Sequence, residues 1–234
     1  MSEVSSRRMP APWAPRAVLF DLDGTLADTA PDLGGALNRL RGRRGLPALP
    51  LEQLRPVASA GARGMLAVGL GLSVDDPDYP ALRDEFLAEY EAALDVDSTL
   101  FDGVPALLAA LAAAGIAWGV VTNKAMRFTG PVLRGLGLEA AAVVIAGDTT
   151  PHPKPHPEPL LEACRRLKIR PEDAIYVGDD LRDVQAARAA GMPVVAAAYG
   201  YLGQEPDLAA WEADAVIERV AALLPLVGIA QEVR

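Results

Sequence analysis

Two carboxylates two residues apart, Asp21 and Asp23, follow directly on the apolar run Ala17-Val18-Leu19-Phe20, and Gly24-Thr25 turns the chain after them. An unbroken apolar run of this kind reads as a strand covered on both faces, the usual state in a parallel sheet. Open α/β sheets bind their ligands at the carboxyl ends of such strands. Two acids placed there can hold a hard cation, or divide nucleophile and acid/base duties between them. Three further polar clusters fall where later strands should end: Thr122-Asn123 after Val120-Val121, Lys154 just before a helix, and Asp179, Asp180 and Asp183 after Tyr176-Val177-Gly178. Each has a plain structural reading, since Thr-Asn pairs make turns and acids after strands cap helices. Together they put acids, a hydroxyl and a lysine on one edge of one sheet, which points to an enzyme.

The elements that position these groups follow from patterning. Past residue 99 the chain alternates, with strand-like runs at 116–122, 142–146, 174–178 and 193–198 and helical patterns at 104–114, 126–136, 156–167 and 181–190. Such alternation implies a parallel sheet with crossover helices, of at least five strands once 17–21 is included. Residues 28–98 differ: 31–44, 51–57, 62–70 and 80–94 read as helices separated by Gly and Pro, with no strand pattern. That length far exceeds an ordinary βα loop. The expected organisation is a flexible leader at 1–15, an α/β core at 16–27 and 99–234, and an all-helical insert at 28–98 lying over the acid pair. The uncharged stretch Gly103 to Asn123 has the length of a membrane span. Alanine dominates it, Pro105 opens it and Gly115 splits it, so it reads as a buried helix, a glycine stop and a buried strand.

Composition excludes several classes. With 51% hydrophobic residues the chain can bury a sizeable core. A net charge of −9 argues against nucleic acid, whose phosphates need a basic surface. The start lacks an apolar h-region, which argues against a signal peptide. The single cysteine, Cys164, lies in phase with helical leucines and reads as core packing in a reducing, cytoplasmic setting. Only Lys124, Lys154 and Lys168 among 22 basic residues are lysines. A lysine retained in the proline-stiffened loop Pro151–Pro157 suggests that a compact ammonium is needed there. His152 and His156 flank it, but the prolines break any helix that would pair them on a metal, so they read as loop structure, with Pro157 opening the next helix.

In chain order, Asp21-Leu22-Asp23-Gly24-Thr25, Thr122-Asn123, Lys154 and Gly178-Asp179-Asp180…Asp183 resemble the four motifs of the haloacid dehalogenase (HAD) superfamily. The insert after the first motif resembles its helical cap, and the likeness spans residues 16–227. Within the superfamily the chain resembles the phosphoglycolate phosphatase group. Ala60–Met65, Trp118–Lys124 and Val177–Asp183 look most like its N-acetylmuramic acid 6-phosphate phosphatases. The resemblance implies a Rossmann-like core and hydrolysis of a small phosphate monoester with Mg²⁺. Asp21 would be the nucleophile, forming an aspartyl-phosphate, and Asp23 the acid/base. Asp21, the Asp23 backbone carbonyl and Asp179 would hold the metal, with Asp180 or Asp183 acting directly or through others. Thr122, Asn123 and Lys154 would bind the phosphoryl oxygens.

Absences sort the activities. Dehalogenases of this superfamily lack the second acid, which Asp23 supplies here. Phosphonoacetaldehyde hydrolases use a cap lysine, and residues 28–98 contain none; the superfamily's sugar phosphomutases also rely on one. In the insert, Arg63 between Gly61 and Gly64 is expected at a turn dipping toward the acids, so Arg63 and Gly64 are the expected specificity residues, gripping a second anion such as a carboxylate. The reading from a different class is a non-catalytic phospho-accepting switch, which shares an acid cluster, a Thr and a Lys. Such domains are about half this length, and Asp23 would speed dephosphorylation. The sequence is silent on oligomeric state.

Overall fold

A computed structural model describes residues 12–203 and 207–230. The chain runs β1 (Ala17–Phe20), β2 (Ala27–Asp28), α1 (Ala30–Gly42), α2 (Leu51–Leu54), a 3₁₀ turn (Arg55–Ala60), α3 (Gly61–Leu70), α4 (Tyr79–Glu91), β3 (Thr99–Leu100), α5 (Val104–Ala113) and β4 (Ala117–Val121). It continues through α6 (Met126–Gly135), β5 (Val143–Ile145), α7 (Glu158–Leu167), β6 (Ala174–Gly178), α8 (Leu181–Ala190), β7 (Val194–Ala197), β8 (Ala215–Ile217) and α9 (Leu223–Leu226).

Six strands form a sheet in the order β5-β4-β1-β6-β7-β8, every pair parallel. The apolar run 17–20 is central and fully buried, as a strand with helices on both faces must be. Its alternation splits the core in two. Val18, Phe20, Val120 and Val177 pack with Leu107, Leu111 and Val132 on one face. Leu19, Val121 and Tyr176 pack with Leu160, Cys164 and Val184 on the other. Cys164 is thus a core side chain, and burial first, then Asp173 and Glu172, push its thiol up to about 11. The chain leaves β1 toward β4 and β5, then returns to β6 on the opposite side, which makes the carboxyl edge of β1 a topological switch point.

Between β2 and β3 the described chain is helical. Leu33, Leu37, Leu54, Met65, Leu66 and Phe86 make a third core, closed against Phe128 and Tyr201. Two strands escape the sequence reading here. β2 and β3 pair antiparallel where the chain enters and leaves these helices, and two-residue strands carry no periodicity. β8, three residues at the sheet edge, was equally too short to register. Of the expected leader, residues 1–11 lie outside the described residues, whereas the Trp13 N–H donates to the Leu226 carbonyl at 3.0 Å. Residues 103–123 form α5, a turn at Gly115 and β4, and among the described residues no helix is long and apolar enough to cross a membrane.

Gly119 lies between β1 and β5, paired with Leu19 and Val143. A Cβ there would sit 2.4 Å from Val143 Cγ1 and 2.8 Å from the Val143 carbonyl oxygen, so the backbone itself would have to move. Gly119→Ala should destabilise by about 1–3 kcal/mol as an overpacked core site. Urea unfolding checks it: the midpoint should fall with the slope unchanged.

Candidate active site

Strand register assembles the site. Phe20 pairs with Val120 on one side and Val177 on the other. One step further along three parallel strands come Asp21, Val121 and Gly178, and then Thr122 and Asp179. The Asp21 N–H still bonds the Val177 carbonyl at 2.9 Å, and the Thr122 N–H the Ile145 carbonyl at 2.9 Å, so both side chains leave the last ladder positions in fixed directions.

Asp21, Asp179 and Asp183 converge, with carboxylate oxygens all within 4.8 Å of one another, and all three are buried. Lys154 threads between two of them. Its Nζ lies 3.0 Å from Asp21 Oδ1 and 2.7 Å from Asp183 Oδ1, and donates to the Val121 carbonyl at 3.0 Å and the Tyr176 hydroxyl at 2.7 Å. Three acids against one ammonium leave the cluster short of positive charge. Burial, partly offset by Lys154 and reinforced by Asp183 and Asp23, pushes Asp21 up to about 7. Burial, with Asp21 and Asp183, raises Asp179 well above the carboxylate range. Lys154 stays above its ordinary value because Asp183 and Asp21 outweigh its burial. An all-oxygen, charge-deficient cluster suits a hard divalent cation.

Local chemistry explains why these side chains hold still. Asp179 accepts from Thr25 Oγ1 at 2.8 Å, the Tyr201 N–H at 2.8 Å and Ser59 Oγ at 3.2 Å. Gly24 has φ +89°, and a Cβ there would lie 2.1 Å from Asp179 Oδ2, so the turn after the first acid pair admits only glycine. Asp180 caps α8, taking the Arg182 N–H at 2.9 Å, and Asp183 returns to the Asp180 N–H at 3.0 Å. The helix-capping reading of these acids therefore holds, and Asp183 in addition joins Asp21 and Asp179.

Of the expected residues, Asn123, Arg63 and Gly64 are engaged differently from expectation. The Asp180 carboxylate is forked by Arg182, Nε and Nη2 each at 2.7 Å; although burial works against it, Arg182 holds it below its ordinary value, and it stays outside the three-acid cluster. The Asp23 carboxylate is also outside that cluster, taking the Thr29 hydroxyl at 2.5 Å and Lys124 Nζ at 3.0 Å. The Asn123 amide is spent on the Lys154 backbone, donating to its carbonyl and accepting from its N–H, both at 2.9 Å, because the 147–155 loop folds back over β4. Thr122 is buried and lines the cavity. Arg63 is exposed and does not line the cavity, since the first turn of α3 aims it outward. Gly64 lies against the 3₁₀ turn, where a Cβ would meet the Val57 carbonyl oxygen at 2.5 Å, which makes it a packing residue. His152 and His156 stack with ring centres 4.6 Å apart, at the surface.

The acids open into a cavity of about 290 Å³. Its floor is Asp21, Asp23, Thr122 and Lys154, and its roof is Leu33, Ser59, Phe86 and Tyr90 from the helices between β2 and β3. Tyr176, Lys124, Tyr90 and Arg182 belong to this site, yet sequence reasoning assigned them nothing. Only the scarcity of lysine could have drawn attention to Lys124.

Comparison with known proteins agrees with this geometry. A family model described as haloacid dehalogenase-like hydrolase matches residues 18–197. An N-acetylmuramic acid 6-phosphate phosphatase of Pseudomonas aeruginosa is 45% identical over 210 residues, 89% of this chain and 93% of that protein. A phosphoglycolate phosphatase of Xanthomonas campestris pv. campestris is 50% identical over 206 residues, covering 88% and 93%. A crystal structure of a predicted phosphoglycolate phosphatase from Haemophilus somnus 129pt superposes with TM-score 0.80 at 27% identity, covering 90% of this chain and 97% of that one.

The raised carboxylates predict a pH dependence of stability. A folded-state pKa above the unfolded value means the native state binds the proton more tightly, so stability is greatest below the unfolded pKa and declines as pH rises through about 7 for Asp21. Between pH 5.5 and 8 ordinary carboxylates are already ionised. Urea unfolding in excess chelator should give a free energy that declines across that interval, with a shallower decline in Asp179→Asn. A flat wild-type profile would contradict the charge deficit. Sequence, sheet and site agree on the conclusion that the chain belongs to the haloacid dehalogenase-like hydrolase family.

Proposed function

We propose that this protein is a Mg²⁺-dependent phosphomonoesterase of small phosphorylated metabolites, acting through an aspartyl-phosphate on Asp21. The observation that carries the reading is the convergence of Asp21, Asp179 and Asp183, two of them paired with Lys154, beside a cavity of about 290 Å³ whose floor also carries Asp23. Its relatives named as phosphatases support it. That volume is near the lower end of the ~300–1,000 Å³ typical of small-molecule pockets.

Asp21, Asp179 and Asp183, with the Asp23 backbone carbonyl, would hold Mg²⁺. The ion supplies the positive charge that lets a dianionic ester approach an anionic nucleophile. Lys154, anchored by Asp183 and Tyr176, keeps one oxygen of Asp21 oriented and offers charge to the phosphoryl group. A free oxygen of Asp21 attacks phosphorus in line, and the bond to the leaving oxygen breaks. Asp23, set by Thr29, gives that oxygen its proton, then takes one from the water that attacks the aspartyl-phosphate, releasing inorganic phosphate and restoring Asp21. Thr122 binds a phosphoryl oxygen. Asn123 acts through the Lys154 backbone it holds, and Asp180 through Arg182. The helices between β2 and β3 serve as a cap that excludes water. A cytoplasmic setting fits the buried single cysteine.

The candidate substrates are 2-phosphoglycolate and N-acetylmuramic acid 6-phosphate, the esters named by the relatives. Phosphate release with Mg²⁺ should be measured on both. Turnover of either supports the reading; a preference of about a hundredfold, near 3 kcal/mol in the transition state, assigns the substrate. Asp21→Asn should abolish turnover while leaving the protein folded. A fully active Asp21→Asn protein, or a phosphoprotein with no turnover, would refute the mechanism.

A further inference from the structure

Four cations line the cavity, and three are already spoken for or peripheral. Lys154 serves Asp21 and Asp183. Arg182 is forked onto Asp180 and donates to the Ser59 carbonyl at 2.9 Å. Arg127 is exposed at the rim, over the Phe128 ring. Lys124 differs. Its side chain is buried, its Nζ meets one oxygen of Asp23 at 3.0 Å, and it lies 4.8 Å from the centre of the Tyr90 ring. An ammonium has three donors, so this one retains capacity.

Tyr90 supplies an independent observation. It comes from α4, is 1% exposed and lines the cavity, and its buried hydroxyl has the Lys124 ammonium beside it but makes no hydrogen bond of good geometry among the described residues, so its own proton is left without an acceptor. Buried hydroxyls are nearly always paired, so a hydroxyl whose proton lacks an acceptor, on a side chain in a cavity wall, marks a place for one. Leu33, Phe86 and Phe128, which pack in one apolar cluster with Tyr90, also line the cavity.

We propose that Lys124 and the Tyr90 hydroxyl form a subsite for a carboxylate carried by the leaving group of the ester. The inference rests on the phosphatase reading and goes on to name which chemical class of ester the site selects. The phosphate is met by Lys154 and Thr122, whereas Lys124 stands against Asp23, the group assigned to the leaving oxygen. An anion bound at Lys124 therefore belongs to the part of the substrate that departs. Two donors, one charged and one neutral, converge there with apolar walls around them, and a carboxylate accepts from both. The second-anion role expected of Arg63 thus passes to a lysine of the core and a tyrosine of the roof.

The test compares kcat/KM within two pairs, 2-phosphoglycolate against ethyl phosphate and N-acetylmuramic acid 6-phosphate against N-acetylglucosamine 6-phosphate. Each pair differs by a carboxylate-bearing group, close to the ester in the first and further along the molecule in the second. The wild type should favour the carboxylated member of at least one pair. Lys124→Met should shrink that preference at least tenfold and Tyr90→Phe at least threefold, with Lys124→Arg retaining more of it than Lys124→Met. Tyr90→Phe removes a single hydroxyl oxygen, so it remains informative if Lys124→Met does not fold. The absence of a wild-type preference in both pairs, or a preference that survives in Tyr90→Phe and in folded Lys124→Met, overturns the subsite. A wild type inactive on all four esters fails the phosphatase reading itself, a distinguishable result.

Discussion

Lys154 lies between Asp21 and Asp183 in a setting where none of the three is well hydrated, and that contact constrains the rest of the molecule. Burying one carboxylate is expensive; burying three within a few ångströms is tolerable only with compensating charge and hydrogen bonds. One ammonium is not enough. The remaining deficit appears as the upward push on Asp21 and Asp179, and it suits the cluster to a divalent cation rather than to an inert salt bridge.

Meeting that constraint draws in elements remote in sequence. The parallel register brings β1, β4 and β6 to a common edge, so two carboxylates and a threonine leave the sheet side by side. Asn123 fixes the backbone of the loop that delivers the lysine, while Tyr176 accepts from its tip and donates to the Val121 carbonyl at 2.7 Å. Tyr201 holds Asp179 through its N–H and the start of α1 through its hydroxyl, which accepts from the Thr29 and Ala30 N–H groups at 2.7 and 2.9 Å. The groups that converge at the cavity are thus also supports of the fold.

The strand ends were readable because buried parallel strands are continuous apolar runs, and a polar residue that interrupts one stands out. Asp21, Thr122 and Asp179 stand out in this way. What side chains do once they leave the strand was less readable, because it depends on chain that returns from elsewhere. Asn123 reads as a phosphate ligand in the sequence, whereas its side-chain amide is bonded to the Lys154 backbone. Arg63 was placed over the acids by its glycine-rich neighbourhood, but helical phase turns it to solvent. Tyr90 reads as an ordinary core aromatic of α4, and only the fold brings it over Lys124. The strands missed, β2, β3 and β8, have two or three residues each, shorter than the period-two signal needs.

The 3₁₀ turn at Arg55–Ala60 touches the acid loop twice, through Ser59 Oγ on Asp179 and through its carbonyl oxygen on Arg182, the partner of Asp180. Contacts of this kind are reciprocal. Whatever free energy the seated turn contributes to the arrangement of the acids, the arranged acids return to the seating of the turn, in equal amount. The turn and the acid loop therefore form one thermodynamic unit. A substitution in residues 55–60 that unseats the turn is at the same time a perturbation of Asp179 and Asp180, although no atom of the turn need ever meet the phosphorus.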